Sequence, residues 1–341
     1  MRADRARAAA LDWVRAEGRA REGYVGAYVT GSTVGLRDED EVPVGSDLDL
    51  TVVTRAMPRG PKPGKFPHLG VLFDVTVVGW DALAPAGHAL ADYHLAAGLS
   101  RDTVLDDPTG GLRALQRSVA REFAAPARVR QRCGAVLTRI EAGLRTPDTA
   151  APWPVRVTGW LFPTCVSAHL PLVAGLRNPT VRLRHLRARE LLTAAGLGEH
   201  YPALLAQLDP AGLTPERVGH HVECLAVLFD ATAAVAHTPF PFSSDLTPAA
   251  RPVAVDASRA LVRAGDHREA LFWVVATAAR CHTALLADAP DLAARHAPQF
   301  AELLADLGIN DGRDLAARSR ATLAYLPELA ALGEEIIAAG R

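Results

Sequence analysis

The chain has 341 residues, 49% of them hydrophobic, and a formal net charge of −1, which is length enough for two ordinary domains with separate cores. With no basic excess to release counterions, a nucleic-acid backbone is disfavoured as the main partner. The opening MRADRARAAALDWVRAEGRARE lacks the apolar run of a signal peptide, and no stretch reaches the ~18 uninterrupted apolar residues of a membrane span, so a soluble, cytoplasmic protein with no membrane partner is expected.

In chain order, 4–22 set Ala8, Leu11, Trp13 and Val14 among charged residues and predict a first helix. YVGAYVTGS, rich in Tyr and Val, predicts a strand ending at Gly31. TVGLRDEDEVPVGS is polar and broken by Gly and Pro, which predicts a short helix and then a loop. SDLDLTVVT alternates with period two and predicts a second strand. A Pro/Gly-rich connection over 57–70 carries the only lysines of the chain, Lys62 and Lys65, and LGVLFDVTVVGW predicts a third strand. WDALAPAGHALADYHLAAG is helical in pattern, DTVLDD fits a short strand, and GLRALQRSVAREFAAP fits another helix.

From about 127 the alternation disappears and Ala/Leu/Arg segments at helical spacing take over, at 127–144, 181–195, 216–236, 252–264, 267–287 and 313–338. The expectation is an α+β chain, with a sheet-containing region over 1–125 and an all-helical region over 126–341. Cys133, Cys165, Cys224 and Cys281 are far apart and predict free thiols rather than a zinc knuckle or a disulfide scaffold. The adjacent His220 and His221 would point about 100° apart on a helix and would not readily share a metal.

The second strand poses a chemical problem. Residues i and i+2 share a face, so Asp47, Asp49 and Thr51 line one side while Leu48, Leu50 and Val52 line the other. The same alternation sets Asp74 with Thr76, opposite Phe73, Val75 and Val77. If the two strands pair, three carboxylates meet, raise one another's pKa and destabilise the fold unless a cation sits among them. Magnesium suits an all-oxygen site that stays open to phosphates. Two such ions ~3.5–4 Å apart would clamp the attacking and leaving oxygens of a displacement at phosphorus. Gly31 ends the first strand where backbone can approach a ligand closely, a following helix start would offer N–H groups to phosphate, and Ser32 adds a hydroxyl. No G-x-x-x-x-G-K-[ST] loop is present.

Gly31–Ser32, then Asp47-Leu48-Asp49, then Asp74 within an apolar strand resemble the signature of the DNA polymerase β-type nucleotidyltransferase superfamily, closest in style to the aminoglycoside nucleotidyltransferase-like proteins. The resemblance covers 24–80 and extends loosely over 81–125. It implies an N-terminal nucleotidyltransferase domain on a mixed β-sheet, followed by a helical, acceptor-binding domain. It implies that Gly31 and Ser32 hold the β- and γ-phosphates of ATP or another nucleoside triphosphate. Asp47 and Asp49 would hold both magnesium ions, and Asp74 would complete the metal site and help to deprotonate the attacking hydroxyl. The chain departs from many relatives in reading TVGLRDED where they have an arginine-glycine turn, and in a longer gap before Asp47.

Around this set, Lys62 and Lys65 lie on a loop that fits two readings equally, one that swings over the triphosphate to balance charge on a leaving pyrophosphate and one that is a mobile surface loop with no catalytic part, with His68 a weaker candidate. Arg182, Arg184, Arg187 and Arg189 fit the solvent face of an amphipathic helix better than a nucleotide clamp. Asp92, Tyr93, His94 and Arg101 fit an ordinary helix surface better than a cleft rim, and Ser243, Ser244 and Asp245 resemble a capping sequence. Glu223, Asp230 and Glu269 are equivalent candidates for an acceptor-side base. The expected reaction moves a nucleoside monophosphate, AMP from ATP first, onto a hydroxyl of a small molecule and releases pyrophosphate. The alternatives are a protein or RNA acceptor, or a nucleotide-binding scaffold without turnover.

Overall fold

The computed structural model describes residues 1–340 except 44, 59–61 and 210–211, so part of the expected 57–70 connection lies outside the described residues. The chain divides into two compact units. The first comprises Met1–Ala135 with Leu176–Thr180, and the second Val136–Gly175 with Val181–Arg341.

The first unit is built on five strands, β1 (Tyr24–Thr30), β2 (Leu48–Thr54), β3 (Gly64–His68), β4 (Val71–Gly79) and β5 (Val104–Asp106), in the order β3-β4-β2-β1-β5. The sheet is mixed: β2 runs parallel to β4, and the other pairs are antiparallel. Helix α1 (Ala3–Trp13) lays Ala6, Ala9, Ala10 and Trp13 on one face, against Val29, Leu48, Leu50, Val52, Phe73 and Val75. The other face packs through Tyr28 and Val53 on Leu83, Leu90, Leu99, Leu112 and Leu115. These come from α2 (Trp80–Leu83), α3 (Ala86–Ala91), α4 (Tyr93–Leu99) and α5 (Gly111–Glu122). The single helical stretch expected over 80–98 is broken before Pro85 and 86–91, and again at Asp92, whose carboxylate accepts from the N–H groups of His94 (2.8 Å) and Leu95 (2.9 Å) to start α4.

One expectation is overturned in part: the segment before β4 is not all loop. Residues Gly64–His68 form the edge strand β3, with Phe66 opposite Phe73 and Pro67 opposite Leu72. Proline lacks a donor but is tolerated on an edge. Phe66 anchors the strand by packing on Trp13 and Phe73, at ring distances of 5.4 and 6.1 Å.

The boundary between the units falls within α6 (Pro126–Arg145). The second unit then runs through α7 (Trp153–Val166), α8 (His169–Ala174), α9 (Arg184–Ala195), α10 (Tyr201–Ala206), α11 (Pro215–Val235), α12 (Ala257–Arg263), α13 (His267–Asp288), α14 (Pro290–Asp306) and α15 (Gly312–Ala338). Helix α13 is its spine, buried along most of its length from Glu269 to Leu285. By length and composition alone, 153–174, α11 and α13 reach the hydropathy of a membrane span. The apolar windows of 153–174 and α13 are 78% buried inside the protein and that of α11 44%, so the first two spend their hydropathy on the core.

Candidate functional site

Strand register brings the predicted carboxylates together. Asp49 on β2 stands directly opposite Asp74 on β4 and Thr30 on β1, and Asp47 lies one residue before β2. Each of Asp47, Asp49 and Asp74 offers an oxygen within 4.8 Å of the other two. The opposite face of β2 is filled by Leu48 and Leu50, each 1% exposed. Apolar packing therefore fixes which way the acids point.

Gly31 follows β1 with φ +68°. A Cβ there would come within 1.6 Å of Asp49 Oδ2, so the backbone and the carboxylate share space that only glycine leaves open. Ser32 is exposed in a turn of 3₁₀ type, Gly31–Thr33. The expected helix after it amounts to that single turn. Asn178, in the segment that returns to this unit, donates its side-chain amide to the carbonyl of Gly31. Sequence reading gave no sign of Asn178, because 147 residues separate the partners.

The lysines are not both on a free loop. Lys65 lies on β3 opposite Asp74, its side chain 7% exposed. Its ammonium contacts Asp74 and lies 2.9 Å from Asp47 Oδ2. Lys62, 40% exposed, reaches Asp74 Oδ1 at 3.2 Å. Alternation along β3 explains the difference from His68, which faces the α1 side and meets Asp12 at 2.9 Å.

Electrostatics divide the three acids. Burial, and then the charges of Asp47 and Asp74, push the Asp49 carboxyl well above its ordinary range. Burial also works to raise Asp74, but Lys65 and Lys62 outweigh it and hold that carboxyl below its usual value. The three acids offer anionic oxygen, the ligand type that a hard divalent cation takes, beside two lysine ammoniums that already pair with two of them. Asp47, Asp49 and Asp74 are the residues that would hold such a cation.

The remaining candidates lie elsewhere. Arg101 lines a cavity of about 460 Å³ together with Arg7, Arg37, Asp102 and Arg113, and that cavity includes none of the three carboxylates. Asp92 caps α4, and Tyr93 is 4% exposed in the core. In the second unit the arginine run is not a uniformly solvated face. Arg184 is 2% exposed with its guanidinium 4.0 Å from the centre of the Phe272 ring, and Arg189 pairs with Glu269 (2.7 Å) and Asp266 (2.5 Å). Periodicity does not show which face of a helix finds a partner inside a bundle. Glu223 and Asp230 are likewise tied, to Arg259 and Arg251, and Glu269 also accepts from Tyr201, so none of these acids stands apart as a base. Ser243–Leu246 forms a 3₁₀ turn whose Asp245 pairs with Arg280 at 2.9 Å. His221 meets Asp306 at 2.7 Å and His220 meets Glu302 at 3.4 Å, so the two rings engage different acids. Among the described residues Cys133, Cys165 and Cys281 are buried and Cys224 is half-buried, each outside any disulfide.

Comparison with protein-family models, with curated proteins and with solved structures gave no match to this chain.

Proposed function

We propose that the chain is a magnesium-dependent nucleotidyltransferase that moves a nucleoside monophosphate, AMP from ATP first, onto a hydroxyl of a small molecule and releases pyrophosphate. The observation that carries this reading is the convergence of Asp47, Asp49 and Asp74, one oxygen each within 4.8 Å, at the strand end where Gly31 lies against Asp49. Of the three acids it is Asp49 whose ionised form costs the fold most, through burial and the charges of its two neighbours, and a cation there would offset that cost. When bound, magnesium would supply charge neutralisation at the α-phosphate and lower the barrier to in-line attack. Within the chain, Gly31 and Ser32 would orient the triphosphate, Asp47, Asp49 and Asp74 would hold the cation, and Asp74 would also help to take the proton of the attacking hydroxyl.

A second reading, a nucleotide-binding scaffold without turnover, draws on Lys62 and Lys65, which already offset the acids. Incubation with Mg²⁺, α-labelled ATP and a panel of aminoglycosides, nucleosides and sugars separates the two. The expected result is pyrophosphate release and a labelled product with one acceptor class, reduced about 100-fold or more in Asp47→Asn and Asp49→Asn. Full activity in both variants would remove the metal assignment. Mg²⁺-dependent nucleotide binding with no product from any acceptor would favour the scaffold, and a labelled protein band would move the acceptor to a macromolecule.

A further inference from the structure

The feature that the proposed function leaves over is the ammonium inside the acidic cluster. Surface lysines usually keep their charge in water, yet the Lys65 side chain is 7% exposed and bridges Asp47 and Asp74, two of the three acids. Its position is dictated by the sheet. Lys65 is opposite Asp74 in the β3–β4 ladder, with Gly64 opposite Val75 and Phe66 opposite Phe73 on either side, so its direction is set by strand alternation. Phe66, packed on Trp13 and Phe73, holds the register. A side chain placed in this way is a resident cation in the place where a divalent ion would find its ligands.

We propose that Lys65 keeps the three-carboxylate site closed to divalent cations until a nucleoside triphosphate arrives, so that metal and nucleotide bind together rather than in sequence. This inference rests on the magnesium site of the proposed function. A divalent ion that takes Asp47 Oδ2 and Asp74 Oδ2 as ligands displaces the Lys65 ammonium from both. In the nucleotide-free protein that displacement leaves a desolvated ammonium beside a dication, which is unfavourable. A triphosphate changes the balance, because its oxygens offer the displaced ammonium a new partner and bring further ligands to the metal. The loop position of Lys62, partly exposed and 3.2 Å from Asp74, lets it follow with little loss, and it blocks only one acid. The device would prevent idle metal loading and hydrolytic chemistry in the absence of substrate.

The test uses Mn²⁺ as the probe, read as the loss of its free-ion electron paramagnetic resonance signal beyond that in a protein-free control of the same composition, with and without α,β-methylene-ATP, and needs no turnover. The expected result is weak uptake by the nucleotide-free wild type and strong uptake with the analogue. Lys65→Met should raise nucleotide-free affinity by about tenfold or more, whereas Lys62→Met should change it by less than about threefold. A wild-type measurement stands beside the variants in case Lys65→Met does not fold. The chain has only two lysines, so an amine-reactive acetylating reagent followed by mass spectrometry reports Lys65 against Lys62 as internal reference. Lys65 should be protected in metal-free protein and become severalfold more reactive at saturating Mn²⁺. If the wild type binds Mn²⁺ equally well with and without the analogue, or if Mn²⁺ binds with no change in Lys65 reactivity, the gating idea is overturned and the metal site stands. If no form of the protein takes up Mn²⁺ under either condition, the metal site itself is wrong, and the inference goes with it.

Discussion

Asp49 is the residue at which structure and chemistry pull in opposite directions. Burial and its two acidic neighbours raise its folded-state pKa, so between the unfolded and folded values the native protein holds a proton that the unfolded chain has lost. Stability therefore falls as pH rises through that window. Asp49→Asn removes the ionisation, so the metal-free variant should gain stability relative to wild type at pH 8 and much less at pH 5, and it should lack the proposed Mg²⁺-dependent transfer. Urea midpoints at the two pH values check this, and a difference that does not vary with pH would contradict it. The acids were legible in the sequence because two of them fall at strand spacing within one short segment, and apolar neighbours mark the buried face. The sequence placed Lys65 in the connection between the two acid-bearing strands but did not show it as a partner of the acids, since a stretch rich in Pro and Gly signals loop before it signals strand.

At the scale of elements, the short strand β5 does more than close the sheet edge. Its Asp106, 8% exposed, accepts from Arg19 at 2.6 and 3.0 Å and from the Tyr24 hydroxyl at 2.6 Å, tying the segment after α1 to the start of β1. The Arg19 hydrogen bonds lead in holding the Asp106 carboxyl below its ordinary value, against the opposing effect of burial. A depressed carboxyl contributes stability that is complete above its unfolded pKa of about 3.9 and is lost as pH falls through the folded value. Asp106→Asn should lower stability at pH 7 and make the acid limb below about pH 4 shallower, as measured by thermal denaturation from pH 7 to pH 2.5. The strand itself was legible from DTVLDD. The Arg19–Asp106 link was not, because 87 residues lie between the partners.

On the scale of the whole molecule, the two units should respond to acid in different pH ranges. His185 in α9 is 1% exposed, and burial, helped by the nearby Arg184 charge, pushes its pKa down to about 3. The unfolded chain takes up that proton near the ordinary histidine value while the folded unit refuses it, so the helical unit loses stability from about pH 6.5 downward, by roughly 3 kcal/mol between pH 7.5 and 4.5. Hydrogen exchange should show faster opening of α9 and α13 at pH 4.5 than at pH 7.5, and His185→Leu should flatten that dependence. The division into a sheet region and a helical region was visible in the change of hydrophobic period near 127. The return of Leu176–Thr180 to the sheet unit was not, since five residues between helices carry no pattern that says where they pack. That return has a consequence in time. The turn at Gly31 waits for the Asn178 amide until 147 more residues have been joined, a delay on the order of ten seconds at ordinary rates of synthesis. The sheet can form early on the ribosome, but the turn beside its acids is finished only after the first helices of the second unit have been made.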